Sequence, residues 1–199
     1  MQIKDKFFLD AGNSALVVID VQEKLCRAMD EKVLRHMVAN AGILMDAAAE
    51  LKIPTLVTEQ YVKGLGETLP ELKGRSASPA LEKMTFSCCG DAAFIEKMKG
   101  LGKKQVIIAG MECHVCVLQT VIELLDAGFI VHVVRDAVMS RRKDNWFVGL
   151  EAARDRLSTV HGRLVRQRKH HPRAGRESVV LGHVLATEQA RRRIHVSDS

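Results

Sequence analysis

The sequence has no long hydrophobic run and only five cysteines among its 199 residues. A membrane-spanning helix needs about 20 consecutive apolar residues, so we expect no membrane partner. The first ten residues, MQIKDKFFLD, contain charged side chains and no apolar core, which argues against a secretory signal. Five cysteines are too few for a disulfide-stapled fold of this length. These absences predict a cytoplasmic protein, with a mitochondrial location as the alternative.

Net charge is absent from most of the chain. Residues 1–160 contain 21 Lys and Arg against 21 Asp and Glu, whereas residues 161–199 contain 9 basic and 3 acidic side chains. The net charge of +6 therefore belongs to the C-terminal segment, which also has no aromatic residue to stack on a base. Nucleic acid is accordingly an unlikely partner, supported only by this basic segment. We expect one domain over residues 1–160 and a separate basic segment over residues 161–199.

Apolar runs and amphipathic stretches alternate through the body of the chain. Four runs are typical of strands buried on both faces: SALVVIDVQ, IPTLVTEQ, KQVIIAG and FIVHVVRDAV. The segment LEKMTFS predicts a short further strand, and the segment from Tyr61 to Ala80 a loop. Helices are predicted for residues 30–51 and for DAAFIEKMKGLG, VCVLQTVIELLDAG and DNWFVGLEAARDRL, the last with Asp144 as its N-cap. This alternation predicts an α/β fold, a three-layer sandwich around a mostly parallel sheet.

Reactive side chains follow several of these strands. Asp20 ends the first strand, Glu59 ends the second, Lys83 lies on the short third element, and Cys113 and Cys116 follow the next strand. Catalytic groups of such folds gather at the carboxyl ends of the strands, beside helix N-termini. A carboxylate, an ammonium group and a thiol are therefore expected to converge at one edge of the sheet.

These residue types suit nucleophilic catalysis. Cys116 stands where a helix begins, so the helix dipole and a nearby Lys83 would lower the pKa of its thiol. Asp20 could accept the thiol proton, and backbone amides of residues 110–115 could hold an oxyanion. A purely structural interpretation stays open, with Cys116 a small buried side chain, Asp20 a strand-end cap and Lys83 a solvated surface residue.

Two further interpretations use other cysteines. Cys113 and Cys116 have the C-x-x-C spacing of a thiol redox pair, although thioredoxin-like chains place that motif after an early strand and need a later cis-proline, and only Pro172 follows. Cys88 and Cys89 could join them in a four-cysteine zinc site, although adjacent cysteines chelate one metal poorly. Redox chemistry at Cys113 and Cys116 is kept as a minor alternative.

Four segments together resemble the isochorismatase-like cysteine hydrolases: ALVVIDVQEKL, TLVTEQYVKGLGETLPEL, LEKMTFS and VIIAGMECHVCVLQTVIELLDAGFIVHVVRDAV. The resemblance covers about residues 12–157 and is closest to the metal-free isochorismatase-domain-containing proteins. It implies a Rossmann-like, six-stranded parallel sheet and a homo-oligomer. It also implies that Asp20, Lys83 and Cys116 form a catalytic triad, that the peptide bond Met111–Glu112 is cis, and that the amides of Glu112 and Cys116 form an oxyanion hole.

The function implied by this resemblance is hydrolysis of a small amide-type substrate through a thioester. Related nicotinamidases bind a metal through two histidines in the loop after the second strand. That loop has no histidine here, so neither a metal nor another cofactor is expected. His36, His114 and His132 are interpreted as ordinary polar or core residues. The candidates for lining the pocket are Gln22, Glu59 and Tyr61. An inactive interaction or scaffold protein on the same fold remains the alternative.

The C-terminal segment departs from the family resemblance. Family members usually continue with a Gly-Ala strand, a Ser-Glu segment and an apolar helix, whereas this chain continues as HGRLVRQRKHHPRA. It could be a basic extension for an acidic partner, a divergent terminus, or a frame-shifted form of the usual terminus. Back-translation with an advance of one nucleotide permits TGASSDSESIIHEL, which has the family features.

We therefore hypothesise a frame shift near residue 160. Sequencing the coding DNA is expected to show that a single-base change restores a family-like ending. A coding sequence in which no single-base change does so would disprove the hypothesis.

Overall fold

The computed structural model describes residues 8–155 and 159–161. The strands are β1 (Ser14–Ile19), β2 (Thr55–Gln60), β3 (Leu81–Lys83), β4 (Gln105–Met111), β5 (Ile130–Met139) and β6 (Thr159–His161). The helices are α1 (Glu23–Cys26), α2 (Glu31–Glu50), α3 (Val62–Leu65), α4 (Ala92–Gly100), α5 (Leu118–Asp126) and α6 (Lys143–Asp155). The strand β6 crosses the predicted domain boundary by one residue, and the rest of the predicted basic segment lies outside the described residues.

The six strands form one parallel sheet in the order β3-β2-β1-β4-β5-β6. The chain runs outward from β1 to β3, then returns to the other side of β1 with β4. In register, Ile19 at the end of β1 lies between Thr58 of β2 and Gly110 of β4. The carboxyl ends of the central strands therefore meet at one edge, and the predicted parallel α/β sandwich is confirmed.

Burial on both faces explains the uninterrupted apolar strands. All six residues of β1 and all seven of β4 are buried. Leu16 and Val18 pack into the core beneath α2, while Val17 and Ile19 pack into the core beneath α4, α5 and α6. Full burial of each such side chain contributes about 1.5–3 kcal/mol, so both layers of helices stabilise the sheet.

Two helix starts can be compared with the predictions. Asp30 caps α2 by accepting a 2.9 Å hydrogen bond from the amide of Val33, so α2 begins one residue inside the predicted range 30–51. The prediction that Asp144 is the N-cap of the last helix is wrong, because α6 begins at Lys143. Asp144 lies inside the first turn, where its negative charge still favours the positive end of the helix.

The segment from Tyr61 to Ala80 is not only a loop. It begins with the short helix α3, and Thr68 forms an isolated antiparallel bridge with Gln22. Among the described residues, no helix is long and apolar enough to cross a membrane.

Gly110 brings the last residues of β4 against β1. Its φ of +118° is unfavourable for any residue with a side chain. A Cβ atom at this position would stand 2.0 Å from the carbonyl oxygen of Ile19. The close approach of β4 to β1 therefore requires glycine, and it places the segment after β4 beside the end of β1.

We expect Gly110→Ala to lower the free energy of unfolding by about 3 kcal/mol, since it adds a backbone clash to an unfavourable φ. Denaturant unfolding followed by circular dichroism measures the change. Gly100→Ala at the end of α4 is the control, because its Cβ would meet no atom within 4 Å. Equal stability of the two variants would contradict this account of Gly110.

Candidate active site

Asp20, Lys83 and Cys116 come together at the carboxyl edge of the sheet. The Lys83 ammonium lies 2.6 Å from Oδ2 of Asp20, with side-chain exposures of 2% and 0%. The Cys116 thiol lies within electrostatic reach of the same carboxylate and interacts with it. Asp20 follows β1, Lys83 ends β3, and Cys116 lies beyond β4. The fold thus joins three side chains that are separated by many residues in the sequence.

Lys83 is held by acceptors on all sides. Besides Asp20, its Nζ donates to Oε1 of Gln60 at 2.8 Å and to the carbonyl oxygens of Thr85 and Phe86 at 3.1 and 3.0 Å. An ammonium group has only three protons to donate, so these acceptors satisfy it fully. The interpretation of Lys83 as a solvated surface residue is therefore wrong.

Thr58 and Gln60 complete the surroundings of the ion pair. Thr58 donates its hydroxyl to Oδ1 of Asp20 at 2.8 Å, so Asp20 has a partner on each oxygen. Both side chains lie on one face of β2 because alternate residues of a strand share a face. Sequence reasoning missed them. The available signal was two polar residues at period 2 where a buried strand ends.

The segment that carries Cys116 has an unusual backbone. The peptide bond Met111–Glu112 is cis. Cys113–Val117 then form a π-helical turn that continues into α5. Thr120 in α5 donates its hydroxyl to the carbonyl oxygen of Cys116 at 2.6 Å. Cys116 is thereby fixed at a helix entrance, with 6% of the residue exposed.

The Glu112 side chain anchors this segment to the end of β5. Its carboxylate accepts from the backbone amide of Arg141 at 3.1 Å and from Nε and Nη2 of Arg141 at 3.0 and 2.7 Å. Burial alone would raise the pKa of Glu112, but the hydrogen bonds and charge of Arg141 outweigh burial and hold that pKa below its usual value. Glu112 is therefore a charged anchor whose side chain is engaged outside the triad.

The Cys116 thiol is harder to ionise than the sequence suggests. Burial raises its pKa to about 12, the Asp20 carboxylate adds to the rise, and Lys83 opposes it only in part. Lys83 lowers this pKa as predicted, but burial and the Asp20 carboxylate outweigh it, because a thiolate here would be desolvated beside a carboxylate. Burial also raises the pKa of Asp20, against the opposing effects of Lys83 and Thr58.

A second buried thiol, Cys88, joins the network. Its Sγ lies 3.7 Å from Oγ1 of Thr58, and its amide donates to Oγ1 of Thr120 at 2.9 Å. Burial raises the pKa of Cys88 to about 11. Sequence reasoning considered this residue only as a zinc ligand, since nothing local in FSCCG indicates proximity to Asp20.

The three predicted pocket residues fall in different places. Gln22 is buried and donates its amide to the carbonyl oxygens of Gln60 and Gly66 at 3.0 and 2.6 Å. It also accepts from the amide of Gln60 at 2.7 Å. Gln22 thus joins the end of β2 to the following loop. A contact with substrate stays a prediction for this residue.

Glu59 and Tyr61 differ in their position relative to the triad. Glu59 points to the opposite side of β2 from Thr58 and accepts from the amide and hydroxyl of Thr68 at 2.6 and 2.7 Å. Tyr61 is 43% exposed, and its amide donates to the carbonyl oxygen of Lys83 at 3.0 Å. Of the two, only Tyr61 adjoins the triad.

His114 and Cys113 have partners outside the triad. His114 Nδ1 is 3.0 Å from the hydroxyl of Ser140, and its Nε2 is 3.2 Å from Nδ2 of Asn145. The Cys113 thiol donates to the carbonyl oxygen of Trp146 at 3.6 Å. All five cysteines, which fall within the described residues, are free thiols. In that part of the chain, no three His, Cys, Asp or Glu residues are placed to hold a metal ion.

Known proteins resemble the chain over this same region. The family model of the isochorismatase domain matches residues 14–163. Isochorismatase domain-containing protein 2 of Danio rerio is 36% identical over 169 residues, which are 81% of this chain and 84% of the relative.

Two solved structures share the fold. One is described as the structure of MAR1 ribonuclease from Caenorhabditis elegans, with a TM-score of 0.71 and 39% identity over 76% of this chain and 77% of that one. The other is the YcaC gene product from Escherichia coli, an octameric hydrolase of unknown specificity. It has a TM-score of 0.70 and 25% identity over 76% of each chain.

We expect Asp20→Asn to lower the pKa of Cys116, because the Asp20 charge contributes to the raised pKa of this thiol. The rate of alkylation of Cys116 by iodoacetamide, followed by peptide mass spectrometry, gives this pKa as the midpoint of its pH dependence.

The control for this experiment is Glu82→Gln, which changes an exposed carboxylate next to Lys83 and should leave the midpoint unchanged. Circular dichroism establishes that both variants are folded. An unchanged or higher midpoint in folded Asp20→Asn protein would show that the charge of Asp20 does not hold the thiol in its protonated form.

Proposed function

This chain belongs to the isochorismatase family, and we propose that it is a cysteine hydrolase that acts on a small amide-type substrate through Asp20, Lys83 and Cys116. The observation that carries the proposal is the position of Asp20. One carboxylate forms a buried ion pair with Lys83 and interacts with the Cys116 thiol. A nucleophile, a base and a fixed positive charge are the components that acyl transfer requires.

In the first step Asp20 acts as a general base. The raised pKa of Cys116 supports a resting state in which the sulfur keeps its proton. As the sulfur attacks the substrate carbonyl carbon, the proton moves to Asp20, a C–S bond forms, and the carbonyl electrons move to oxygen. Because burial raises the pKa of Asp20, its carboxylate is a stronger base than one in water.

The proposed oxyanion hole consists of the amides of Glu112 and Cys116. One feature of the backbone supports it: the helical turn that begins at Cys113. Amides at a helix entrance stabilise negative charge that develops on oxygen. The anchoring of Glu112 by Arg141 keeps this segment in place before substrate arrives.

The second half of the reaction returns the proton. Asp20 protonates the leaving amine as the C–N bond breaks, which leaves a thioester on Cys116. Water then attacks the thioester and gives a proton to Asp20. The C–S bond breaks, the sulfur recovers that proton, and an acid leaves. Lys83 keeps its charge throughout and balances the charge of Asp20, since its protons remain engaged by fixed acceptors.

The proposed hydrolase also has an expected location, assembly state and cofactor requirement. We infer a cytoplasmic protein that works as a homo-oligomer, supported by the octameric assembly of the Escherichia coli neighbour. Thiol, carboxylate and backbone amides supply the nucleophile, the base and the oxyanion donors. The proposed steps therefore call on no cofactor. Because the nematode neighbour is described as a ribonuclease, RNA belongs among the compounds to be tested.

We expect Cys116→Ala and Cys116→Ser to lower kcat by at least about 10³-fold, because the thioester cannot form without the thiol. A panel of small amides, vinyl ethers and an RNA oligonucleotide is screened with wild type and both variants in parallel. Circular dichroism should show native folding for both, since Cys116 contributes no ion pair.

The matched control is Cys113→Ala. It removes the other thiol of the C-x-x-C pair and should keep full activity. Activity that is lost equally in Cys113→Ala and in Cys116→Ala would favour the thiol redox alternative. A Cys116→Ala protein as active as wild type would refute the proposed hydrolase mechanism, and a wild type that turns over none of the panel would favour the scaffold alternative.

A further inference from the structure

Cys88 occupies the triad's own network and has no part in the proposed hydrolysis. The residue is 0% exposed, and its thiol donates to Thr58 Oγ1 at 3.7 Å. The same Thr58 hydroxyl donates to Asp20 at 2.8 Å, and Asp20 in turn interacts with the Cys116 thiol. Both thiols are therefore connected to the Asp20 carboxylate: Cys116 interacts with it, and Cys88 is connected to it through the Thr58 hydroxyl.

A single hydroxyl also connects the backbones of the two cysteines. Thr120 Oγ1 accepts from the amide of Cys88 at 2.9 Å and donates to the carbonyl oxygen of Cys116 at 2.6 Å. The amide nitrogen of Cys88 and the carbonyl oxygen of Cys116 therefore lie within two hydrogen-bond lengths of each other, on either side of one shared oxygen atom. Cys88 begins a three-residue 3-10 turn, and a disulfide requires this turn to bring the Cys88 sulfur to that of Cys116.

The other thiols have different surroundings. The Cys89 thiol points toward the carbonyl oxygen of Thr120 at 4.0 Å. The Cys113 thiol points toward the carbonyl oxygen of Trp146 in α6. Neither of these two thiols is hydrogen-bonded to Asp20 or to Thr58. The hydrogen-bond network thus pairs Cys116 with Cys88 and not with either sequence neighbour.

We propose that Cys116 and Cys88 are a modification site at which a hydroperoxide produces an intramolecular disulfide. The Cys116 sulfur attacks the terminal peroxide oxygen, its proton passes through Asp20 to the departing alkoxide, and the O–O bond breaks to release an alcohol. Cys116 is then a sulfenic acid. The Cys88 sulfur attacks the Cys116 sulfur, the S–O bond breaks, and the hydroxide leaves as water with the proton of Cys88. Two thiols lose two electrons in total, and one hydroperoxide becomes alcohol and water.

The disulfide has a direct chemical consequence. It removes the nucleophilic thiol of the proposed hydrolase until a reductant restores it. It also prevents further oxidation of Cys116, because a second hydroperoxide oxidises a sulfenic acid that meets no second thiol to the irreversible sulfinic acid. The proposal uses the position of Cys116 but no hydrolytic substrate, so its test is independent of the proposed activity.

The disulfide can be assigned without altering either partner. Trypsin places Cys88 and Cys89 on the peptide of residues 84–97, and Cys113 and Cys116 on the peptide of residues 105–135. In the double variant Cys89→Ser/Cys113→Ser, each peptide keeps one thiol. After hydrogen peroxide treatment, blocking of the remaining thiols and digestion, we expect these two peptides to be linked, with a loss of ~2 Da. Dithiothreitol should reverse the link, and non-reducing electrophoresis should show a monomer.

Variants of Cys88 test its role directly. In Cys88→Ser and Cys88→Ala the linked peptides should disappear, and Cys116 should accumulate sulfinic acid with a gain of ~32 Da. The single variants Cys89→Ser and Cys113→Ser should form the link as the wild type does. Sulfinic acid without a link in the double variant would overturn the proposal, as would a link that persists in folded Cys88→Ser protein.

Discussion

Two opposite charges, the Asp20 carboxylate and the Lys83 ammonium, lie 2.6 Å apart almost without solvent contact. Burial of either charge alone costs several kcal/mol, so each requires the other and the hydrogen bonds around them. Thr58 and Gln60 supply those bonds from β2, which lies between β1 and β3. The ion pair therefore depends on the register of the three strands that carry its components. The ion pair also keeps the negative charge of Asp20 beside Cys116.

The state of Cys116 follows from a competition between burial and the helix entrance. Burial and the Asp20 carboxylate raise the pKa of the thiol from 9.0 to about 12, which corresponds to about 4 kcal/mol against the thiolate. A helix N-terminus favours an anion by about 0.3–1 kcal/mol. Burial is the larger effect, so the proton stays on sulfur until it is transferred to Asp20. The proposed attack on a carbonyl carbon and the proposed attack on a peroxide oxygen share this proton transfer.

Both proposals also depend on the uncharged hydroxyl groups of two threonines. Thr58 joins Asp20 to the Cys88 thiol, and Thr120 joins the Cys116 carbonyl to the Cys88 amide. The nucleophile and the second thiol are consequently positioned by the same few hydrogen bonds. The site proposed for acyl transfer therefore also holds the two thiols that the proposed disulfide requires.

The amino-acid sequence by itself determined the parallel sheet and the edge at which Asp20, Lys83 and Cys116 meet. Apolar periodicity and the order of strands and helices are local properties, and parallel strands bring their carboxyl ends together. Only the tertiary structure decided the raised pKa of Cys116, the burial of Lys83 and the place of Cys88. These depend on desolvation and on hydrogen bonds between residues far apart in the chain, such as Thr58 with Asp20 or Cys88 with Thr120. A local pattern contains no information on which distant side chains exclude water from a thiol or supply its partners.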